Sequence, residues 1–159
     1  MRVGNGYDIH RFREDGTLRL GGIDVEGAPA LAGHSDGDAL IHAIIDALLG
    51  AAGEGDIGQH FPPGEEATAG IDSRELLRRV ARLVSARGYR VHNIDAVVVA
   101  ERPRLGPAIA AMKESIAHTL GIEGGAVNVK ATTNEGLDAI GEGRAVAAYA
   151  VALLEEEVP

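Results

Sequence analysis

The sequence contains no cysteine and no tryptophan, and aromatic residues make up 3% of its 159 positions. Without cysteine, disulfides and thiolate metal sites are excluded, and a transition metal would have to be held by imidazole and carboxylate. The absence also suits a reducing compartment. With so few rings, the core must be built from Ala, Val, Leu and Ile. Hydrophobic residues at 45% and charged residues at 25% are ordinary globular usage, and the length fits one domain, 1–159. A short chain with such a core often completes its burial by oligomerising. Positive charge is scarce too: 15 Lys and Arg stand against 24 Asp and Glu, a formal net charge of −9. A nucleic-acid binder normally carries a basic face, so no nucleic-acid partner is expected. A phosphorylated ligand would need neutralising locally, by metals, backbone N–H groups or a few basic side chains. No apolar run approaches the ~18 residues of a membrane span, and MRVGNGYDIH lacks an apolar signal core. The expectation is a soluble, cytoplasmic protein with no membrane partner.

The chain shows no repeat, low-complexity segment or linker. Residues 1–9 read as a strand interrupted by Gly4 and Gly6, and Leu18 to Val25 as a hairpin around Gly21-Gly22. Pro29 to Gly37 and Gly55 to Gly70 are rich in small, polar or turn-forming residues and read as loops. Leu40, Ile44, Ala47, Leu48 and Ala51 recur at helical spacing between Asp38 and Ala52, with Gly53 as the stop. Asp72 or Ser73 caps a second helix with the stripe Leu76, Leu77, Val80, Leu83 and Val84, ended by Gly88. Tyr89 to Ala100 predicts a strand, and Pro103 follows it. Pro107 opens a helix running to about Leu120 with Gly121 at its end, and Ala126 to Ala131 reads as a strand. Arg144 to Leu154 fits a helix by its alanine content and a buried strand by its near-continuous apolar run.

Five constellations carry chemistry. In Asp8-Ile9-His10, strand alternation puts a carboxylate and an imidazole on one face, a two-ligand fragment for zinc; a surface Asp–His pair has the same pattern. In His34-Ser35-Asp36-Gly37-Asp38, short polar residues precede a helix N-terminus, a setting that binds anions. His42 lies four residues after Asp38 and four before Asp46, on one helix face, where a carboxylate could hold its second ring nitrogen. A capped helix with a solvated Asp/His stripe reads the same way. Asp8, His10 and His42 together leave tetrahedral zinc one open position, as a catalytic metal requires. Gly55-Asp56-Ile57-Gly58 can place a carboxylate and an N–H near a ligand hydroxyl, or be a plain turn. Lys130-Ala131-Thr132-Thr133-Asn134-Glu135 offers hydroxyls for phosphate and a carboxylate for a hard cation, or an ordinary capped loop. Ala100-Glu101-Arg102-Pro103-Arg104-Leu105-Gly106 reads locally as a strand-to-helix turn.

G-x-G-Y-D-I-H, then H-S-D-G-D-x-x-x-H, then G-D-I-G, then K-A-T-T-N-E, in this order and separation, resembles the 2-C-methyl-D-erythritol 2,4-cyclodiphosphate synthase family over essentially the whole chain. The resemblance implies an α/β fold of α+β type, a mixed β-sheet with helices on one face plus a small hairpin, with the C-terminal segment a strand. It implies a homotrimer with sites between subunits. It implies zinc on Asp8, His10 and His42, and a second divalent cation, Mg²⁺ or Mn²⁺, on Glu135. His34 and Thr133 take the catalytic roles. His34 and Ser35 meet the attacking phosphate, Asp8, Ile9 and His10 are further substrate-binding positions, and Asp56, Ile57 and Gly58 meet the ribose and erythritol. Ala100, Glu101, Arg102, Pro103, Arg104, Leu105 and Gly106 form the cytosine pocket, and Thr132, Thr133, Asn134 and Glu135 flank the diphosphate. The implied reaction forms a cyclic diphosphate from a cytidine-diphosphate substrate and releases CMP; a metal-dependent phosphohydrolase would use the same ligands. The chain departs from the family pattern in three places, the first being Asn5 where His is common. Phe61-Pro62-Pro63-Gly64-Glu65-Glu66 stands where F-P-D-T-D-P is usual, although Phe61 to Glu65 still count as substrate loop. Ala139-Ile140-Gly141-Glu142-Gly143-Arg144 replaces F-T-G-R-G-E, reversing an Arg/Glu pair.

Overall fold

The structure, a computed structural model, describes residues 1–64 and 66–157. In chain order the elements are β1 (Arg2–Arg11), β2 (Leu18–Leu20), β3 (Ile23–Val25), α1 (Ala39–Ala52), α2 (Ile57–His60), α3 (Ser73–Ala86), β4 (Tyr89–Val99), α4 (Ile109–Leu120), β5 (Val127–Thr132), α5 (Asp138–Gly141) and β6 (Ala145–Glu156). Four strands form a mixed sheet in the order β1-β6-β4-β5; β4 and β5 run parallel and the other neighbours antiparallel. The expected hairpin, β2 with β3, forms its own two-stranded sheet.

The helix ends follow from their residues. Asp38 accepts the Ile41 N–H at the start of α1, and Gly53, at φ 79°, takes the left-handed conformation that ends it. Asp72 caps α3 through the Arg74 N–H. Pro107 lies in a 3₁₀ turn that leads into α4. The segment 55–70, expected as loop, instead contains the one-turn α2 and a 3₁₀ turn at Glu66–Thr68. Asp56 explains α2, because its carboxylate accepts the Gln59 N–H as an N-cap.

Strand β6 settles the ambiguous C-terminal segment. Val146, Ala148, Ala150, Ala152 and Leu154 are buried on one face, while Tyr149 and Val151 face the other way and stay exposed. That period of two outweighs the helix propensity of alanine, because β6 is paired on both sides, by β1 and β4. The small side chains also leave room for α1 to lie close against the sheet. Gly4 and Gly6 serve the same end and do not interrupt β1. A Cβ on Gly6 would stand 2.0 Å from the Ala43 carbonyl oxygen, and one on Gly4 2.1 Å from that of Ala47. The main core lies between this sheet face and α1, α3 and α4. The expectation of helices on one face needs one amendment. Ile140 of the short α5 packs with Val99, Ala145 and Ala147 on the opposite face.

Candidate active site

Strand β1 delivers Asp8 and His10 to the helix-facing side, and the first full turn of α1 delivers His42. Asp8 Oδ2 lies 2.7 Å from His10 Nε2 and 3.0 Å from His42 Nδ1, and the two ring nitrogens are 3.2 Å apart. A tetrahedral zinc bound at about 2.0–2.1 Å would hold its ligand atoms roughly 3.3–3.4 Å from one another. The three separations need to open by less than about 1 Å, so the donor set fits a divalent metal. The other His10 nitrogen, Nδ1, donates to the Ala32 carbonyl oxygen at 2.5 Å, which turns Nε2 toward the cluster. Burial opposes ionisation of Asp8, but hydrogen bonds and charge from His10 and His42 outweigh it and bring the carboxyl down to about 2. Burial likewise opposes charge on His10, and the Asp8 carboxylate overrides it, raising the imidazole above its ordinary value.

Asp38 and Asp46, on the helix face of His42, take backbone N–H groups and do not hold its second ring nitrogen, contrary to one reading of their spacing. Asp38 is fully buried and accepts the N–H groups of Gly21 at 2.9 Å, Gly22 at 2.6 Å and Ile41 at 3.0 Å. It ties the β2–β3 turn to the start of α1. Burial pushes its carboxyl up in spite of these donors. Asp46 accepts the Ile57 N–H at 2.8 Å and fixes α2 against α1. The second nitrogen of His42, Nε2, instead faces two hydroxyls, Ser73 Oγ at 2.9 Å and Ser35 Oγ at 3.0 Å. Ser73, at the N-terminus of α3 and fully buried, carried no signal in its local pattern beyond a helix cap.

A cavity of about 300 Å³ opens above Asp8, His10 and His42. His34, Ser35, Ile57, Gly58, Phe61 and Pro63 line it, together with Thr68 and Leu76, which the motifs did not indicate. No Lys or Arg is among these described lining residues. Ile9 points to the other sheet face and stays exposed, so it is not brought to this cavity. Asp56 is spent in part on α2: Gln59 donates both its backbone N–H and its side-chain amide to it, lowering its carboxyl. Pro62 and Gly64 are exposed beside the cavity, and Glu65 lies outside the described residues.

A second cavity, of about 580 Å³, joins the two remaining motifs: Ala100, Glu101, Pro103, Arg104, Leu105 and Gly106 face Lys130, Ala131, Thr132 and Thr133. Pro107, Ile109 and Val129 complete it, and the Arg102–Pro103 peptide bond is cis. Glu101 accepts the Asn134 N–H at 3.3 Å, linking the segments. Glu135 is exposed and stands at φ 52°, a left-handed conformation uncommon for a residue with a side chain. Arg102, Asn134 and Glu135 adjoin this cavity without lining it.

One chain does not unite the two halves. His10 is in register with Val146, Ala147 with Val99, and Val99 with Thr132, so both halves lie at the same end of the sheet. Three strand spacings of about 4.8 Å separate them, roughly 14 Å. Among the described residues, the cavities share no lining residue. Near this end, Arg144 Nε donates to Glu142 Oε2 at 2.6 Å. The reversed Arg/Glu order thus keeps its pair, although Glu142 sits at the end of α5 and not in a strand.

The YgbB family profile matches residues 1–155. A protein of Thermosynechococcus vestitus named 2-C-methyl-D-erythritol 2,4-cyclodiphosphate synthase is 56% identical over 155 residues, covering 98% of this chain and 96% of its own. Among solved structures, the bifunctional IspDF of Campylobacter jejuni superposes with a TM-score of 0.94 at 40% identity, over 98% of this chain and 42% of that longer one. The Plasmodium falciparum IspF CDP complex gives a TM-score of 0.86 at 34% identity, over 99% and 97% of the two chains.

Proposed function

The chain belongs to the YgbB family, and from that premise we propose how its residues carry out the family's cyclisation. The enzyme converts 4-diphosphocytidyl-2-C-methyl-D-erythritol 2-phosphate to 2-C-methyl-D-erythritol 2,4-cyclodiphosphate and releases CMP, a step of the non-mevalonate route to isoprenoid precursors. An oxygen of the 2-phosphate forms a bond to the β-phosphorus. The bond from that phosphorus to the bridging oxygen breaks, and CMP departs with the electron pair. Such transfers depend on positioning and on stabilising charge more than on covalent help.

The observation that carries this reading is the convergence of Asp8, His10 and His42 beneath a cavity that also presents His34 and Ser35. Zinc held there would supply Lewis-acid polarisation of a phosphoryl oxygen. His34 and Ser35 donate to the attacking phosphate. Ile57 and Gly58, held by the Asp46 and Asp56 contacts, position the sugar hydroxyls. In the second cavity, the backbone of Ala100 to Gly106 receives the cytosine, and Thr133 donates to the diphosphate. Glu135 would hold the Mg²⁺ or Mn²⁺ that neutralises diphosphate charge. Recruited cations thereby offset a chain of charge −9.

The working unit in this proposal is a homotrimer, with the metal cavity of one subunit facing the cytosine cavity of the next. Two features support it. The halves are far apart in one chain, and the sheet face away from the helices exposes Val3, Tyr7, Ile9, Tyr149 and Val151 at 42–69%. The Tyr7 and Tyr149 rings meet across the strands on that face, centroids 4.7 Å apart and planes tilted by 41°. A surface this apolar marks a contact site. The cytoplasmic location expected from the cysteine-free composition belongs to the same proposal. Incubation with the substrate in ¹⁸O-water tests the reaction: CMP and an unlabelled cyclic diphosphate are expected. Label in an acyclic product would mark hydrolysis and overturn the reading.

A further inference from the structure

The motif H-S-D-G-D holds a second carboxylate besides Asp38, that of Asp36. Its Oδ1 lies 2.5 Å from Ser73 Oγ, and its Oδ2 accepts the Ser73 N–H at 2.9 Å. Asp36 Oδ1 also accepts the Asp38 N–H at 3.2 Å, and Arg19 Nε stands 3.9 Å from Oδ2. The carboxylate is thus fixed from four directions.

Counting protons gives the direction of every bond in this chain. An ionised carboxylate only accepts, so the Ser73 hydroxyl proton goes to Asp36; 2.5 Å is the length of a charge-assisted O–H···O⁻ bond. Ser73 Oγ then has only lone pairs left for His42. At 2.9 Å, His42 Nε2 must therefore be the donor, an N–H. That leaves Nδ1, the nitrogen that faces Asp8 and His10, as the ligating atom. Ser73 is wholly buried and Asp36 mostly so, so water does not compete strongly for either bond.

We propose that Asp36 and Ser73 are positioning residues that hold the proton of His42 on Nε2 and so present Nδ1 to the metal. The proposal rests on the metal reading of Asp8, His10 and His42. It also assigns Ser35 a separate part. Ser35 reaches the same Nε2 at 3.0 Å but lines the cavity, so its hydroxyl proton is directed toward the substrate phosphate and not needed to orient the ring.

The test is zinc affinity, measured by competition with a chromophoric chelator, with ¹⁵N-edited imidazole spectra of the zinc-loaded protein. Ser73→Ala and Asp36→Asn are expected to weaken zinc binding by about 10–100-fold, the usual effect of removing a partner behind a metal ligand. Ser35→Ala is expected to stay within about threefold of the parent, since the Asp36–Ser73 partner remains. The loaded parent protein should show a His42 Nε2 proton slow to exchange, and Asp36→Asn should shift it. Parent protein that binds no zinc would overturn the metal reading. Parent protein that binds zinc, with Ser73→Ala and Asp36→Asn at parental affinity, would overturn the relay alone. So would a spectrum with the His42 proton on Nδ1. If Ser73→Ala fails to fold, Asp36→Asn and the parent spectrum decide the question.

Discussion

Gly6→Ala is the most informative single perturbation of this fold. Gly6 lies on the face of β1 that meets α1, two residues before Asp8. An added Cβ would stand 2.0 Å from the Ala43 carbonyl oxygen and 2.8 Å from the Ala47 nitrogen. Ordinary contact begins near 3.4 Å, and both neighbours are helix backbone, which cannot rotate away. Helix α1 must therefore back off by about 1 Å or more, or β1 must bow outward. Overpacking of this kind costs about 1–3 kcal/mol. For a chain of this size each kcal/mol lowers the melting temperature by about 2–4 °C, so a drop of roughly 2–12 °C is expected. The same displacement separates His42, on α1, from Asp8 and His10, on β1. Their contacts of 3.0 and 3.2 Å would open toward 4 Å, past the spacing tetrahedral zinc requires. A shift of 1 Å at a reacting centre can cost about 10²-fold in rate. Thermal melting, zinc competition and turnover should all move together. A variant that loses stability but keeps parental zinc affinity and turnover would refute the claim that this close approach sets the metal geometry.

Gly50→Ala is the matched opposite: the nearest atom to the new Cβ is the Asn5 carbonyl oxygen at 3.9 Å, and alanine in a helix is favoured by about 0.5–1 kcal/mol, so melting should rise by a few degrees. His34→Ala and Thr133→Ala remove exposed donors; turnover should fall about 10²–10³-fold while the melting temperature holds, and near-normal turnover in both would exclude the assigned roles. Mixing Asp56→Ala with Thr133→Ala subunits should restore part of the activity, and no recovery in verified mixed trimers would contradict sites shared between subunits. Because Asp8 raises His10 above its ordinary 6.5, protons compete with the metal from a higher pH than at a free imidazole. Zinc affinity should be level above that point and fall about tenfold per pH unit below it; an affinity flat from about pH 8 to pH 5 would refute this.

The candidate metal cluster was legible because strand and helix periodicities fix which side chains share a face. Asp8 and His10 at i and i+2, with His42 one turn into a capped helix, needed only the assumption that the helix crosses the strand. The partners of the carboxylates were not legible. Asp38 and Asp46 share a helix face with His42, but a common face does not make contact; nearby backbone N–H groups, from Gly21, Gly22, Ile41 and Ile57, took those oxygens. Ser73 carries no legible signal because it lies 31 residues from His42 and doubles as the start of α3. The helix at Ile57–His60 is not legible because one turn has too few residues to show a period. Arg144 to Leu154 was ambiguous by composition, since only pairing on both edges decides between an alanine-rich helix and a strand.

The scarcity of large side chains and the metal cluster have a common origin. Gly4 and Gly6 on β1 meet Ala43, Ala47 and Ala51 on α1, while Ala148, Ala150 and Ala152 of β6 are buried on the same sheet face. Small residues on both sides let backbone meet backbone, and that closeness is what brings a helix-borne histidine within 3.0 Å of a strand-borne aspartate. Larger core residues would bury more apolar area per chain but hold the two elements apart. The burial forgone inside is available outside, where Tyr7, Ile9, Tyr149 and Val151 wait on the far face of the same strands. Covering that face with neighbouring copies would supply the missing apolar contact. The same assembly would set the second cavity of one subunit against the metal cavity of another, so stability and site completion would be met by a single interface. It follows that a charge placed on that face, as in Tyr149→Glu, should abolish activity and assembly together, yet leave the Asp8, His10 and His42 cluster of the separated chain intact.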